Sequence, residues 1–186
     1  MKVYVIRHGE SETNERRCYT GYFNAPLTEK GREDAKFAAE VLRNVEFDRI
    51  FASDLDRAIE TCKIATGKEP ETDELIREIS VGRLENFPYD NIPAEDRVKY
   101  FQIGYADFGG ESKDDFKLRI RHFMEKLERL DCDNVAVFSH GGWLIAMLGI
   151  VLDANLSHSN IRCTNCAVGI FDYSDGKWLL SGLMNK

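Results

Sequence analysis

Two histidines sit in the same local syntax. Val3-Tyr4-Val5-Ile6 is a run of β-branched and aromatic residues that reads as a buried strand, and it stops at Arg7-His8-Gly9. Asn134-Val135-Ala136-Val137-Phe138-Ser139 is a second such run, and it stops at His140-Gly141-Gly142. Imidazole can donate, accept or attack near neutral pH. In an open α/β sheet, ligands lie just beyond the carboxyl ends of strands, so both rings stand where chemistry is done. The glycines after each ring let the backbone turn tightly beside a ligand. A strand-end histidine taken singly can merely bond a turn. Two with one syntax face one pocket if their strands are neighbours.

Other side chains fit the same picture. Arg57 falls in the first turn of the helix after Arg49-Ile50-Phe51-Ala52, where a cation opposes the helix macrodipole. A local rule broken at such a place marks a site more readily than a random surface. Glu78 lies in Leu75-Ile76-Arg77-Glu78-Ile79, a segment rich in apolar residues, a setting that suits a general acid. Cys163-Thr164-Asn165-Cys166 has metal-like spacing, but no second pair completes a tetrahedral site. It reads as two reduced cysteines at a strand entrance, and no metal or cofactor is expected.

These residues need elements to carry them. Glu10 to Asn24, which includes Arg16, Arg17, Thr20 and Gly21, has no periodic pattern, and a loop of that length is commonly functional. Thr28 suits the N-cap of a helix with Ala35, Ala38, Ala39 and Leu42 on its buried side. Ser53, with Asp56 three residues on, predicts a capping box for a helix with the stripe Leu55, Ile59, Cys62 and Ala65. Residues 86–110 lack long periodicity. They mix Pro88, Pro93, Gly104, Gly109 and Gly110 with Phe87, Tyr89, Tyr100, Phe101, Tyr105 and Phe108. That composition suits a cap-like insert over a pocket, or equally a satellite cluster under a loop. Ser112 with Asp115 opens a helix whose stripe is Phe116, Ile120, Phe123, Leu127 and Leu130; His122 lies within it and is given no site role. An apolar helix runs from about Trp143 to Val151. The tail, Cys166–Tyr173 and Lys177–Leu183 about Ser174-Asp175-Gly176, reads as a β-hairpin. Strands alternating with helices form an α/β pattern.

Bulk properties narrow the function. The chain has 186 residues, 43% of them hydrophobic, which suits one domain over 1–186 with a substantial core. No apolar run would span a bilayer, and the N-terminus enters a strand with no cleavable leader pattern, so a soluble cytoplasmic protein is expected. The five cysteines, an odd number, argue against a disulfide framework. A net charge of −7 disfavours a nucleic-acid surface, yet converging arginines can still make a positive pocket for a small anion.

Taken together the motifs resemble the histidine phosphatase superfamily, also called phosphoglycerate mutase-like. The resemblance is carried by six ordered blocks: Arg7-His8-Gly9-Glu10 with Asn14; Leu27-Thr28-Glu29-Lys30-Gly31; Ser53-Asp54-Leu55-Asp56-Arg57-Ala58 with Thr61; Leu75-Ile76-Arg77-Glu78 with Gly82 and Glu85; Gly109-Gly110-Glu111-Ser112; and Ser139-His140-Gly141-Gly142. It implies an α/β fold of three layers, α/β/α, about a mainly parallel central sheet, in agreement with the alternating pattern. It also implies that His8 takes the phosphoryl group, that Arg7, Arg57 and His140 hold the phosphate, and that Glu78 protonates the leaving oxygen. Asn14, Thr20, Gly21 and Gly141 are expected to contact substrate. Elementary chemistry agrees: guanidinium forks match phosphate oxygens, and a poor alkoxide leaving group needs an acid. One block departs from the family pattern. Where the acid segment commonly ends in a Trp-Glu-Gly-like turn, this chain has Leu84-Glu85-Asn86.

The expected activity is therefore a metal-independent phosphomonoesterase acting on a small phosphorylated metabolite through phosphohistidine. The short phosphatase branch, which includes α-ribazole-5′-phosphate phosphatases, is the nearest in kind. Residues 86–110 carry only Arg97 and Lys99 as cations, which favours hydrolysis over a phosphoglycerate mutase. A non-catalytic phospho-ligand-binding module is the alternative from another class, although binding alone would need neither His8 nor Glu78. The expected partner is the small metabolite, with neither nucleic acid nor membrane; homodimerisation is left open.

Overall fold

The apolar strand runs are buried on both sides, and each alternates between two cores. In β1 (Lys2–Arg7), Val3 and Val5 enter one core while Tyr4 and Ile6 enter the other. In β4 (Asn134–Ser139), Val135 and Val137 join the first and Ala136 and Phe138 the second. β2 (Arg49–Ala52) divides in the same way, with Phe51 on one side and Ile50 and Ala52 on the other. The computed structural model describes residues 1–186 except for the side chain of Phe101, so that one aromatic of the insert lies outside the described residues.

Helices cover both faces. α2 (Glu29–Leu42) and α3 (Asp56–Thr66) supply Ala35, Ala38, Leu42 and Cys62 to the core with Tyr4 and Ile6. α5 (Lys113–Glu128) and α6 (Gly141–Val151) supply Phe116, Ile120, Phe123, Leu127 and Trp143 to the core with Val3 and Val5. The result is the expected three layers. With β3 (Glu71–Thr72), β5 (Val168–Ser174) and β6 (Lys177–Met184), the sheet has six strands in the order β3-β2-β4-β1-β5-β6. β3, β2, β4 and β1 run parallel, and the hairpin β5–β6 is added antiparallel beside β1.

β1 and β4 are direct neighbours, with Arg7 opposite Ser139 in register. The chain leaves β1 towards α2 on one face and leaves β4 towards α6 on the other. A crevice opens between strands whose connections diverge in this way, and the residues after Arg7 and Ser139 border it. Among the described residues, no helix is long and apolar enough to cross a membrane.

Several local expectations are corrected. The stretch from Glu10 to Asn24 contains one helical turn, α1 (Glu12–Glu15), too short for periodicity to reveal. Ser53 does not cap α3: the N-cap is Leu55, which has no capping side chain. The cap comes from afar, as Asn24 Oδ1 accepts from the Asp56 amide at 2.9 Å. The helix after β4 begins at Gly141 rather than Trp143, with His140 as its extended N-cap. Within 86–110 lies α4 (Ala94–Ile103), which has no buried face among its described side chains and so no apolar period to detect.

Candidate active site

Backbone bonds fix both histidines at the crevice. The His8 amide donates to Ser139 O at 2.9 Å, which locks the end of β1 to the end of β4. The two rings meet edge to face with centroids 5.2 Å apart. His8 Nδ1 lies 2.6 Å from Gly9 O. A carbonyl can only accept, so Nδ1 carries the proton and Nε2 keeps its lone pair. Arg57 Nε–H points at that lone pair from 3.3 Å. Burial, and then the charges of Arg57 and Arg7, hold His8 well below the usual histidine range. Burial and Arg57 do the same to His140.

The arginines are set by the chain around them. Arg57 is fully buried, and its Nη1 and Nη2 donate to Phe23 O at 3.0 Å and Gly21 O at 2.9 Å. Burial pushes its guanidinium down to about 10, with Glu78 acting in the opposite direction. Arg7 Nη1 donates to Cys163 O at 2.6 Å. A side chain at position 141 would put its Cβ 3.1 Å from Arg7 Nε, and one at 142 would run into Glu78 Oε1. The glycine pair is therefore there for close approach. Glu78 is aimed by two amides: Ile79 N donates to Oε1 and Gly142 N to Oε2, each at 2.9 Å.

Among the described residues, three buried side-chain nitrogens have no partner: Arg7 Nε, His140 Nδ1 and His140 Nε2. Buried polar atoms are nearly always satisfied, and an orphan costs about 1–3 kcal/mol. Here all of them belong to the two strand ends that carry His8 and His140.

A cavity of about 550 Å³ opens from this centre. It is lined by Arg7, His8, Asn14, Thr20, Gly21, Arg57, Glu78 and Gly141, so eight of the nine expected residues border one space. The ninth, His140, is fully buried against the His8 ring. Asn14 Oδ1 accepts from Ser11 N and from Asn165 Nδ2, both at 3.2 Å. Thr20 Oγ1 is bonded to Thr13 Oγ1 at 2.7 Å.

Beyond the expected residues, other side chains also border this cavity. Tyr19, Tyr89 and Tyr105 line it, with Tyr19 edge-on to the other two at 4.5 and 5.8 Å. Arg17 and Arg97 also line it, both bonded to Asp90. Lys113, His158 and Asn165 also line the cavity. The cavity thus draws cations from outside 86–110, which the count of Arg97 and Lys99 alone missed. Lys113 is the first residue of α5, a cation against the dipole, and the rule that singled out Arg57 would have found it. Asn165 was hidden inside the cysteine pair, although its Nδ2 donates to His8 O at 3.2 Å.

The departure at Leu84-Glu85-Asn86 is accommodated. Asn86 adopts a φ of 61°, and asparagine tolerates that left-handed conformation better than most residues. Its amide donates to Tyr19 O at 2.7 Å, while Glu85 Oε1 accepts from Tyr22 N at 2.9 Å. The insert is stitched to the 16–22 loop at this point.

The model of the histidine phosphatase superfamily (branch 1) matches residues 3–186. A probable phosphoglycerate mutase GpmB from Yersinia pestis is 32% identical over 192 residues, covering 98% of this chain and 89% of that protein. The structure of Bacillus stearothermophilus YhfR superposes with a TM-score of 0.87 at 30% identity, over 97% of this chain and 95% of that one. A putative alpha-ribazole-5′-P phosphatase from Escherichia coli shares the fold, with a TM-score of 0.86 at 23% identity over 100% and 96% of the two chains. The chain belongs to the histidine phosphatase superfamily.

Proposed function

We propose that the chain hydrolyses the phosphate monoester of a small metabolite, without a metal, through a phosphohistidine at His8. The observation that carries this reading is the set of orphaned nitrogens of Arg7 and His140 beside an imidazole whose Nε2 is unprotonated. A phosphoryl group supplies oxygens for the donors and phosphorus for the lone pair.

Arg7, Arg57 and His140 take the non-bridging oxygens, and Asn14, Thr20, Gly21 and Gly141 shape the wall around them. Fixed donors of this kind stabilise the charge on those oxygens during transfer. Arg57 Nε–H leaves the His8 ring for a phosphoryl oxygen, which frees the lone pair to attack. The N–P bond forms as the ester O–P bond breaks, and Glu78 gives its proton to the leaving oxygen. In the second half, Glu78 takes a proton from water, the water oxygen bonds phosphorus, and the N–P bond breaks. The whole span 1–186 acts as one domain, with 86–110 as a cap whose tyrosines hold the organic part of the substrate.

The test is turnover of p-nitrophenyl phosphate by the wild type and by H8A. Loss of both turnover and 32P-labelling in H8A supports the reading, and substantial residual turnover removes His8 as the nucleophile. The GpmB-like relative and the cations Arg17, Arg97 and Lys113 favour a second reading, a phosphoglycerate mutase. Formation of 2-phosphoglycerate from 3-phosphoglycerate with catalytic 2,3-bisphosphoglycerate would select it; release of inorganic phosphate alone selects hydrolysis.

A further inference from the structure

Residues 77–81, which carry Glu78, have no regular secondary structure. Several of their backbone groups are instead bonded by two residues of a distant segment, Arg119 and Glu111. Arg119, on α5, donates from Nη1 to Leu75 O and Arg77 O, each at 2.9 Å, and from Nη2 to Glu78 O at 3.0 Å. Its Nε and Nη2 also form a two-point pair with the Glu111 carboxylate, each at 2.8 Å. Glu111 Oε2 accepts from Ser80 N at 2.8 Å, and the Glu111 amide donates to Ser80 O at 2.9 Å.

We infer that Arg119 and Glu111 form a clamp that positions Glu78 for proton transfer. Arg119 grips the carbonyls on the upstream side of Glu78 and its own carbonyl, while Glu111 grips Ser80 on the downstream side. The guanidinium fork and the carboxylate hold one another, so neither grip is independent. Neither residue borders the cavity, and neither touches the reacting atoms. A carboxylate displaced by about an ångström can lose about 10²-fold in rate, so an anchor on an irregular segment is worth having. Lysine cannot replace Arg119: it carries the charge but not the planar fork that reaches carbonyls and carboxylate together.

Two amides report where the Glu78 carboxylate sits, because Ile79 N and Gly142 N donate to it. The first measurement is amide exchange in the wild type, R119Q, R119K and E111Q. Gly142 lies on another element, so its exchange senses the carboxylate rather than the mutated residue. Exchange at Ile79 and Gly142 is expected to quicken about tenfold in all three variants, as for loss of one hydrogen bond. Val5 and Val137 amides, in β1 and β4, should keep their protection and so show that the fold is intact. Unchanged protection at Gly142 in R119Q overturns the clamp.

The second measurement rests on the acid role given to Glu78 above. R119Q should raise the ratio of kcat/KM for p-nitrophenyl phosphate over an alkyl phosphate about tenfold, and the E78Q/R119Q pair should go no further than E78Q alone. Equal losses on both esters in R119Q, with a clear ratio change in E78Q, overturn the clamp and leave the acid in place. No ratio change in E78Q itself removes the acid role, and the exchange measurement then judges the clamp alone.

Discussion

Lowering the pH from about 7.5 to about 5.5 destabilises this chain through its buried imidazoles, by an amount that linkage fixes. His8 and His140 are held below the ordinary value of 6.5, by burial first and by Arg57 next. In the unfolded chain each ring takes a proton as the pH falls through about 6.5, whereas in the folded chain each takes it up only at a lower pH. The unfolded state then binds more protons, so stability is present above that pH and falls as the pH drops. Each ring costs up to about 1.4 kcal/mol over this interval, and the pair up to about 2.8 kcal/mol. His158 is depressed as well, by burial and then Arg7, and adds a loss of the same sign. Asp48, Asp54 and Asp172 are held low by hydrogen bonds to backbone amides, Arg77 and Lys2 respectively. Their contribution is lost only as the pH falls below the unfolded carboxylate range, near about 4, and leaves the histidine interval clear. Urea unfolding at a series of pH values, followed by the fluorescence of the buried Trp143, measures the slope. H140Q should lose up to about 1.4 kcal/mol less than the wild type across the interval. A wild-type stability that is flat or rises towards about pH 5.5, or an H140Q slope equal to the wild type's, refutes the neutral buried pair.

Further outcomes follow from the same geometry. R57A strands the carbonyls of Gly21 and Phe23 and should destabilise the fold by about 3 kcal/mol, while the inhibition constant of inorganic phosphate rises about 10–100-fold. Unchanged phosphate inhibition would return Arg57 to a structural role. Inorganic phosphate at about 100 times its dissociation constant should raise unfolding stability by about 2.7 kcal/mol, and much less in R57A at the same concentration. E78Q should impair alkyl phosphates more than p-nitrophenyl phosphate; equal losses would mean that Glu78 is not the acid. A chelator should leave turnover unchanged, and strong inhibition by it would point to a metal route.

What could be read from the chain alone was set by the range of the interactions involved. The alternation of Val3, Tyr4, Val5 and Ile6 is a local signal, and so is the helical spacing of Phe116, Ile120 and Phe123; both predict buried elements correctly. Two His-Gly endings place rings beyond strand ends, but only the register of Arg7 with Ser139 brings those rings within 5.2 Å. The cap of α3 illustrates the limit. Ser53 and Asp56 satisfy the local rule, yet Asn24, 32 residues away, supplies the bond. α4 escaped because no described side chain on it is buried, so nothing in the order of its residues distinguishes helix from loop.

The same limit explains why Arg119 was invisible. On a helix with the stripe Phe116, Ile120 and Phe123, an arginine at position 119 looks like part of the solvated face. Its five main partners lie in two other segments, 75–78 and Glu111, and no spacing rule joins them to α5. Residues that border the cavity can announce themselves by breaking local rules, as Arg57 and Lys113 do at helix N-termini. Residues that hold those groups in place obey every local rule and act through the fold. Most of the residues that border the cavity's centre were therefore legible while their scaffolding was not, and a variant such as R119Q is where the two can be told apart.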